Sequence, residues 1–89
     1  MDEAVPDRET YEAEESVVLN QTNVDKNNNK YYRIQLLKSK HSETYYCWTH
    51  WGRVGEPGQH KLQPGATRDK AFKLFSTKFR EKTGVAWAA

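Results

Sequence analysis

Apolar and polar residues alternate with a period of two through the middle of the chain, which is the pattern of half-buried β-strands. A short apolar run at residues 17–19 predicts a first strand, and residues 30–38 predict a second. The asparagine-rich residues 20–29 between them predict a loop. In the second strand, one face carries Tyr32, Ile34 and Leu36.

Residues 44–54 are rich in aromatic and β-branched side chains and predict a third strand. Residues 55–58 have the composition of a turn, and residues 59–63 predict a short fourth strand. Alternation in the third strand places Tyr46 and Trp48 on one face. The opposite face carries Cys47, Thr49, Trp51 and Arg53.

The apolar spacing becomes helical from Arg68 to Thr83. Thr67 suits the position that caps the start of a helix, and Gly84 suits the position after its end. Strands followed by one amphipathic helix predict an α+β fold, in which the helix packs on an antiparallel sheet of about four strands. The predicted apolar stripe consists of Ala71, Phe72, Leu74, Phe75 and Phe79.

Charge divides the chain into two parts. Residues 1–15 contain seven acidic residues, one basic residue and few apolar anchors, so we expect a disordered tail. Residues 16–89 contain 13 basic and five acidic residues, a net charge of +8, and are expected to form one domain. This division favours a polyanionic partner, although a small basic domain can also lack one.

The sequence favours an intracellular protein without membrane contact. No apolar run approaches the ~20 residues that span a bilayer, and the acidic N-terminus is unlike a secretory signal. Cys47 is the single cysteine, so an internal disulfide is impossible.

Trp51-Gly52-Arg53 is the strongest candidate for a binding site. Residues two apart in a strand project from the same face, so Trp51 and Arg53 can act together. An indole beside a guanidinium can stack on a sugar or base and hold its phosphate. Gly52 permits the close approach of a ligand or of a neighbouring backbone. The alternative is a core Trp51 beside a solvated Arg53, and the spacing alone favours neither.

Other polar residues can extend such a surface. The Asn- and Lys-rich residues 26–30 can contact phosphate oxygens or form an ordinary loop. Gln59, His60 and Lys61 follow the turn after Arg53, near enough in sequence to join the same surface.

The sequence gives little support to catalytic or metal chemistry. Cys47 and His50 are half of a metal-binding pattern, with no second pair at ligand spacing. Residues three apart on a strand face opposite ways, which argues against a nucleophilic pair. No Gly-rich phosphate loop opens the helix. We therefore expect no catalytic residue, no metal and no cofactor in this chain.

Four stretches in one consistent order resemble the WGR domain of DNA-dependent poly(ADP-ribose) polymerases, and most of all its smaller members without zinc fingers. The resemblance covers residues 16 to about 87. The stretches are Leu19-Asn20-Gln21-Thr22-Asn23, Asn27-Asn28-Asn29-Lys30-Tyr31-Tyr32 with Ile34-Gln35-Leu36-Leu37, Trp51-Gly52-Arg53-Val54-Gly55 with Gly58-Gln59, and Lys78-Phe79-Arg80-Glu81-Lys82-Thr83.

The resemblance implies a nuclear DNA-damage and repair role. A WGR domain binds DNA nicks or ends that carry a 5′-phosphate and relays binding to helical regulatory and catalytic domains. We therefore expect this chain to be a non-catalytic domain, and its parent protein to be an ADP-ribosyltransferase that uses NAD in its catalytic domain.

The resemblance also implies residue roles. Trp51 would stack against a terminal sugar, and Arg53 would be divided between DNA and interdomain contacts. Gln59 and His60 would lie near the terminal phosphate. Residues 83–87 depart from the pattern, because the smaller members have a lysine and two asparagines there. Backbone phosphates would be held by Asn29, Lys30, Lys61 and Lys82.

Two hypotheses follow for the Trp51/Arg53 face. The first is a DNA-break sensor. The second is a protein-interaction module that docks a partner domain through this face without DNA, since exposed Trp and Arg are common interface anchors.

Overall fold

A computed structural model describes residues 2–23 and 28–87 of the chain. One turn of 3-10 helix, Arg8–Thr10, precedes the sheet. No helix among these residues is long and apolar enough to cross a membrane. The remaining elements are β1 (Tyr11–Asn23), β2 (Asn28–Ser39), β3 (Tyr45–Arg53), β4 (Gln59–Gly65) and α1 (Arg68–Thr83).

The four strands form one antiparallel sheet in the order β1-β2-β3-β4, and α1 packs against it. This confirms the predicted fold class. The helix has the bounds that its apolar spacing predicts. The Thr67 hydroxyl accepts a hydrogen bond from the Lys70 amide at 3.2 Å, and Gly84 has the left-handed conformation at φ 74°. Both predicted helix caps are therefore confirmed.

The helix buries the middle of one sheet face. Phe75 and Ala71 of α1 pack on side chains that alternation directs toward this face. Gly65 at the end of β4 permits this packing, because a Cβ there would lie 2.6 Å from the Ala71 nitrogen. The sheet residues buried with α1 are Ile34, Leu36 and Cys47.

The opposite sheet face is covered by the N-terminal segment. Val5 is buried with Leu37 and Trp48. The Asp2 carboxylate is also buried and accepts a hydrogen bond from Trp48 Nε1 at 3.2 Å. Residues 2–15 therefore pack on the sheet or extend it, where composition led us to expect a disordered tail. A few nonlocal contacts to a large buried indole outweigh the acidic composition of this segment.

The first two strands are longer than predicted. β1 pairs with β2 from Tyr11 to Asn23, with a bulge between Ala13 and Glu15. Most of the asparagine-rich stretch predicted as a loop therefore belongs to the hairpin, because cross-strand pairing such as Thr22 with Asn29 satisfies its backbone. The predicted contacts of Lys26 and Asn27 lie outside the described residues.

The residues after α1 fold back over the helix. Trp87 packs edge-on against Phe75 and Phe79, with ring centroids 5.0 Å apart in both pairs. The Thr83 hydroxyl donates to the Phe79 carbonyl at 2.8 Å. The part of the sequence that departs from the WGR pattern thus ends in an apolar cover for the helix.

Burial makes Cys47 a poor nucleophile. Removal from water raises the pKa of its thiol to about 11, and the Lys78 charge offsets only part of this effect. We expect iodoacetamide at pH 8 to alkylate the folded protein at least ~100-fold more slowly than the urea-unfolded chain, because an ordinary thiol ionises near pH 8.5.

The alkylation rate of the folded protein should also rise about tenfold per pH unit between pH 8 and 10, as the thiolate fraction grows. Mass spectrometry of the alkylated chain measures both rates. Equal rates in the folded and unfolded chains would show that Cys47 is accessible and ionised.

Candidate functional site

The four strands and the C-terminal half of α1 line a cleft on the helix side of the sheet. This cleft encloses about 1020 Å³, and we call it the tryptophan cleft. Trp51, Gly52 and Arg53 at the end of β3 line this cleft. Its charged lining residues are Lys30, Arg53, Glu56, Lys61, Lys78 and Lys82.

Trp51 lies on the same face as Cys47 and Thr49, as alternation predicts, but beyond the part that α1 covers. It is half-buried and stacks on its cross-strand neighbour Tyr32, with ring centroids 5.8 Å apart and an interplanar angle of 21°. The Lys82 ammonium lies 4.7 Å from the centre of the Tyr32 ring. Trp51 and Tyr32 therefore form an aromatic platform in the cleft, next to the edge of the core.

Like charges face each other at the outer end of the cleft. Lys30 and Arg53 are directly paired across β2 and β3. Such a pair destabilises a sheet unless an anion lies between the two cations. The ion pairs found among residues 2–23 and 28–87 include Lys78 with Glu81 at 3.3 Å, and none of them involves Lys30 or Arg53.

Two further lysines place positive charge along the cleft walls. Lys61 is contributed by β4 and Lys82 by the last turn of α1. The single acidic side chain among the described lining residues is Glu56. Five cations around an aromatic platform favour a ligand that has several negative charges and a flat or apolar face.

Position 52 needs glycine because a neighbouring backbone lies against it. Of the two alternatives, a ligand or a neighbouring backbone, the structure shows the second. A Cβ at Gly52 would lie 2.7 Å from Gly58 Cα and 3.3 Å from the Tyr31 hydroxyl. Gly58 itself has φ 73°, which favours glycine. The turn after β3 therefore folds back onto the centre of the Trp-Gly-Arg motif.

Hydrogen bonds hold this turn in place. The Tyr31 hydroxyl lies 3.1 Å from the Glu56 carbonyl and 3.0 Å from the Pro57 carbonyl, so its proton is shared between them. The His50 Nε2 atom lies 2.8 Å from the Pro57 carbonyl. Because Glu56 and Gly58 line the tryptophan cleft, these bonds fix one of its walls.

The structure brings together six of the residues that the sequence suggested for a binding surface. The two that it places elsewhere are Asn29 and His60. Asn29 is exposed, and adjacent residues of a strand face opposite sides, so it points away from the face of Lys30. The six residues in the cleft are Trp51, Arg53, Lys30, Gln59, Lys61 and Lys82.

His60 lies on the face opposite the cleft. It stacks on Trp48, with ring centroids 5.0 Å apart and an interplanar angle of 20°. Closeness in sequence to Gln59 and Lys61 suggested a shared surface, but the period of two separates His60 from both neighbours. The assignment of His60 beside a ligand in the cleft therefore does not fit the geometry.

Sequence reasoning did not single out Lys78 and Tyr32 as cleft residues. Lys78 precedes Lys82 by four residues, so both lie on one side of α1. Tyr32 is the cross-strand partner of Trp51, a relation that depends on the register of β2 with β3. The helical spacing gave a signal for Lys78, whereas that register is not readable from the sequence.

The contact of Gly52 with Gly58 provides a test of the motif. We expect Gly52→Ala to lower the free energy of unfolding by about 1–3 kcal/mol, because the new methyl group displaces the turn. Urea denaturation followed by far-UV circular dichroism measures the change.

Val54→Ala is the matched control, since Val54 is 60% exposed in the same segment. A surface substitution of this kind changes stability by less than about 0.5 kcal/mol. A Gly52→Ala protein as stable as this control would contradict the proposed close packing.

Comparisons with known proteins find relatives of similar sequence over most of the chain. The human protein mono-ADP-ribosyltransferase PARP3 is 47% identical over 83 residues, which cover 93% of this chain and 15% of that protein. Human poly(ADP-ribose) polymerase 2 is 47% identical over 72 residues, 80% of this chain and 12% of the relative. Chicken PARP3 is 51% identical over 86 residues, 97% and 16% respectively. The chain therefore spans less than a fifth of these relatives.

The family model of the WGR domain matches residues 15–89. This segment contains α1, β2, β3, β4, most of β1 and every residue that lines the tryptophan cleft. On this match and on the identity to the ADP-ribosyltransferases, the chain belongs to the WGR domain family.

Proposed function

We propose that this domain binds DNA breaks, at nicks or ends that carry a 5′-phosphate, and relays that binding to the other domains of an ADP-ribosyltransferase. One observation carries the proposal: five cations converge on the cleft that contains the stacked rings of Trp51 and Tyr32. These cations are Lys30, Arg53, Lys61, Lys78 and Lys82.

Each part of the tryptophan cleft suits one part of a broken strand. The Trp51 ring, extended by Tyr32, can stack against a sugar or base whose face a break has exposed. In intact duplex those faces are covered by the neighbouring nucleotides, so the platform selects a terminus. Lys61, Lys78 and Lys82 lie where they can neutralise backbone phosphates on either side.

The facing cations Lys30 and Arg53 suit the terminal phosphate. A terminal phosphate carries about −1.5 to −2 charges at pH 7, whereas an internal phosphodiester carries one. An anion between the two side chains replaces their repulsion with two charge-assisted contacts. Arg53 also lies at the rim, where it can serve both DNA and a neighbouring domain.

The names of the relatives support a parent enzyme that transfers ADP-ribose. We propose that NAD binds only in that enzyme's catalytic domain, and that this domain is non-catalytic and acts in the nucleus. Its protein partners would be helical regulatory and catalytic domains, reached through Arg53 and the rim of the cleft.

Trp51→Ala tests the stacking role. We expect this variant to bind a nicked, 5′-phosphorylated duplex roughly 10- to 100-fold more weakly, because base–aromatic stacking contributes about 1–3 kcal/mol. Binding to closed circular duplex should change much less. Fluorescence anisotropy with the nicked duplex, and competition by the closed circle, measure the two affinities.

Lys73→Ala is the control, since Lys73 is exposed on α1 and does not line the cleft. Equal affinity of the wild-type chain for nicked and closed DNA would exclude end recognition. No DNA binding at low salt, with retained binding of a regulatory-domain partner, would support the protein-interaction alternative.

Salt dependence tests the cationic walls. We expect the slope of log K against log salt to become less steep by about 1 for Lys61→Ala and for Lys82→Ala, because each removes one phosphate contact. Lys73→Ala should leave the slope unchanged. Identical slopes for all three variants would show that the cleft lysines do not contact phosphates.

A further inference from the structure

His50 joins the N-terminal segment to the wall of the tryptophan cleft. It lies in β3 directly before Trp51, on the opposite face of the sheet. Its Nδ1 atom is 2.7 Å from the Asp2 carboxylate, and its Nε2 atom is 2.8 Å from the Pro57 carbonyl. Both ring nitrogens therefore face oxygen atoms that accept hydrogen bonds.

Only the protonated imidazole can donate to both oxygens. A neutral imidazole has one N–H, and its other nitrogen carries a lone pair that repels a facing oxygen. The Asp2 side chain is held as a carboxylate. Burial raises its pKa, but hydrogen bonds from Ala4, His50 and Trp48 outweigh burial, and the net result is a lowered pKa.

The other charged and titratable groups around His50 come from β2, β4 and the turn. Arg33 lies 3.6 Å from the second Asp2 oxygen and shares that negative charge. The Tyr31 hydroxyl is 3.3 Å from Nε2, and the His60 ring centroid is 6.2 Å away. Glu56 belongs to the turn that His50 holds. Asp2 is the only carboxylate in direct contact with the ring among the described residues.

Pro57, whose carbonyl faces His50 Nε2, directly precedes a residue of the cleft wall. Gly58 packs against Gly52 and lines the cleft. The Asp2 carboxylate keeps a proton on Nδ1, so loss of one proton from His50 leaves a lone pair on Nε2 that faces the Pro57 carbonyl. The turn then loses one of its two side-chain anchors on the sheet, and the Tyr31 hydroxyl remains as the other.

We infer that His50 is a proton-dependent positioning residue: its cationic form bridges Asp2 and the Pro57 carbonyl and holds the cleft wall in the shape that binds a DNA end. The inference deepens the proposed function and rests on it. DNA affinity should be full while His50 is protonated and should fall when the ring loses a proton, because only the cation donates to both oxygens.

The test measures binding of the full chain to a nicked duplex between pH 5.5 and 8.5 at constant ionic strength. The duplex lacks the 5′-phosphate, because that group gains charge near pH 6 and would oppose the effect. We expect wild-type affinity to fall about 3- to 10-fold across this range, the change that loss of one charge-assisted hydrogen bond to the turn would produce.

His50→Gln should bind at or below the high-pH level of the wild-type chain and show no such pH dependence. Asp2→Asn should weaken binding at the low end of this pH range, because the carboxylate that accepts the Nδ1 hydrogen bond is gone. Tyr31→Phe should weaken binding at every pH and keep the profile. His60→Gln and His41→Gln are controls that should leave the profile unchanged.

A second measurement needs no DNA. In ¹H–¹⁵N NMR spectra, the Gly58 amide of the wild-type chain should shift with pH over the same range, and this shift should be absent in His50→Gln. A Gly58 shift that persists in His50→Gln would overturn the inference. So would a DNA-affinity profile that His50→Gln leaves unchanged.

The two measurements separate the inference from the proposed function. If the wild-type chain binds neither this duplex nor the 5′-phosphorylated nicked duplex at any pH, the proposed function fails, together with the part of the inference that concerns affinity. The NMR titration then still decides whether His50 holds the turn.

Discussion

Burial of β3 on both faces is the constraint on which the rest of the structure depends. Side chains of β3 that point to one face of the sheet, including Cys47, pack under α1. Those that point to the other face, including Trp48, pack under the N-terminal segment. Ordinary sheets of this size leave one face to water. Here the second cover comes from the N-terminal segment, which packs on the buried Trp48 indole. Trp51, near the end of β3, stays half-buried and lines the tryptophan cleft.

Local chemistry explains which parts of the fold the sequence could predict. The bounds of α1 follow from its apolar period and from two capping residues that act on their own neighbours. The shared face of Trp51 and Arg53 follows from the geometry of any strand. What could not be predicted depends on partners distant in sequence: the pairing of Trp51 with Tyr32, and the contact of Asp2 with Trp48. The acidic composition of residues 1–15 led us to expect a disordered tail, and it gave no sign of the contacts that Val5 and Asp2 make with the sheet.

The sheet also separates charges of opposite sign. Asp2 lies on one side, in contact with His50 and Arg33, and the cations of the tryptophan cleft lie on the other. Glu14 is held at the sheet edge by Arg68, 3.0 Å away. An acidic segment in front of a basic domain would ordinarily compete with a polyanion for the basic surface. In this arrangement the N-terminal acids that are fixed in place do not reach the cleft, so its positive potential is kept for a ligand.

The positions of the three tryptophans give the domain an internal set of optical reporters. Trp48 is sealed under the N-terminal segment beside two histidines, Trp51 stands in the cleft, and Trp87 closes over the end of the helix. Each indole samples a different surface, and each can be replaced singly to isolate the emission of the others. The fluorescence of a single remaining tryptophan then distinguishes binding in the cleft from loosening of the N-terminal segment or of the residues after α1, without any added dye.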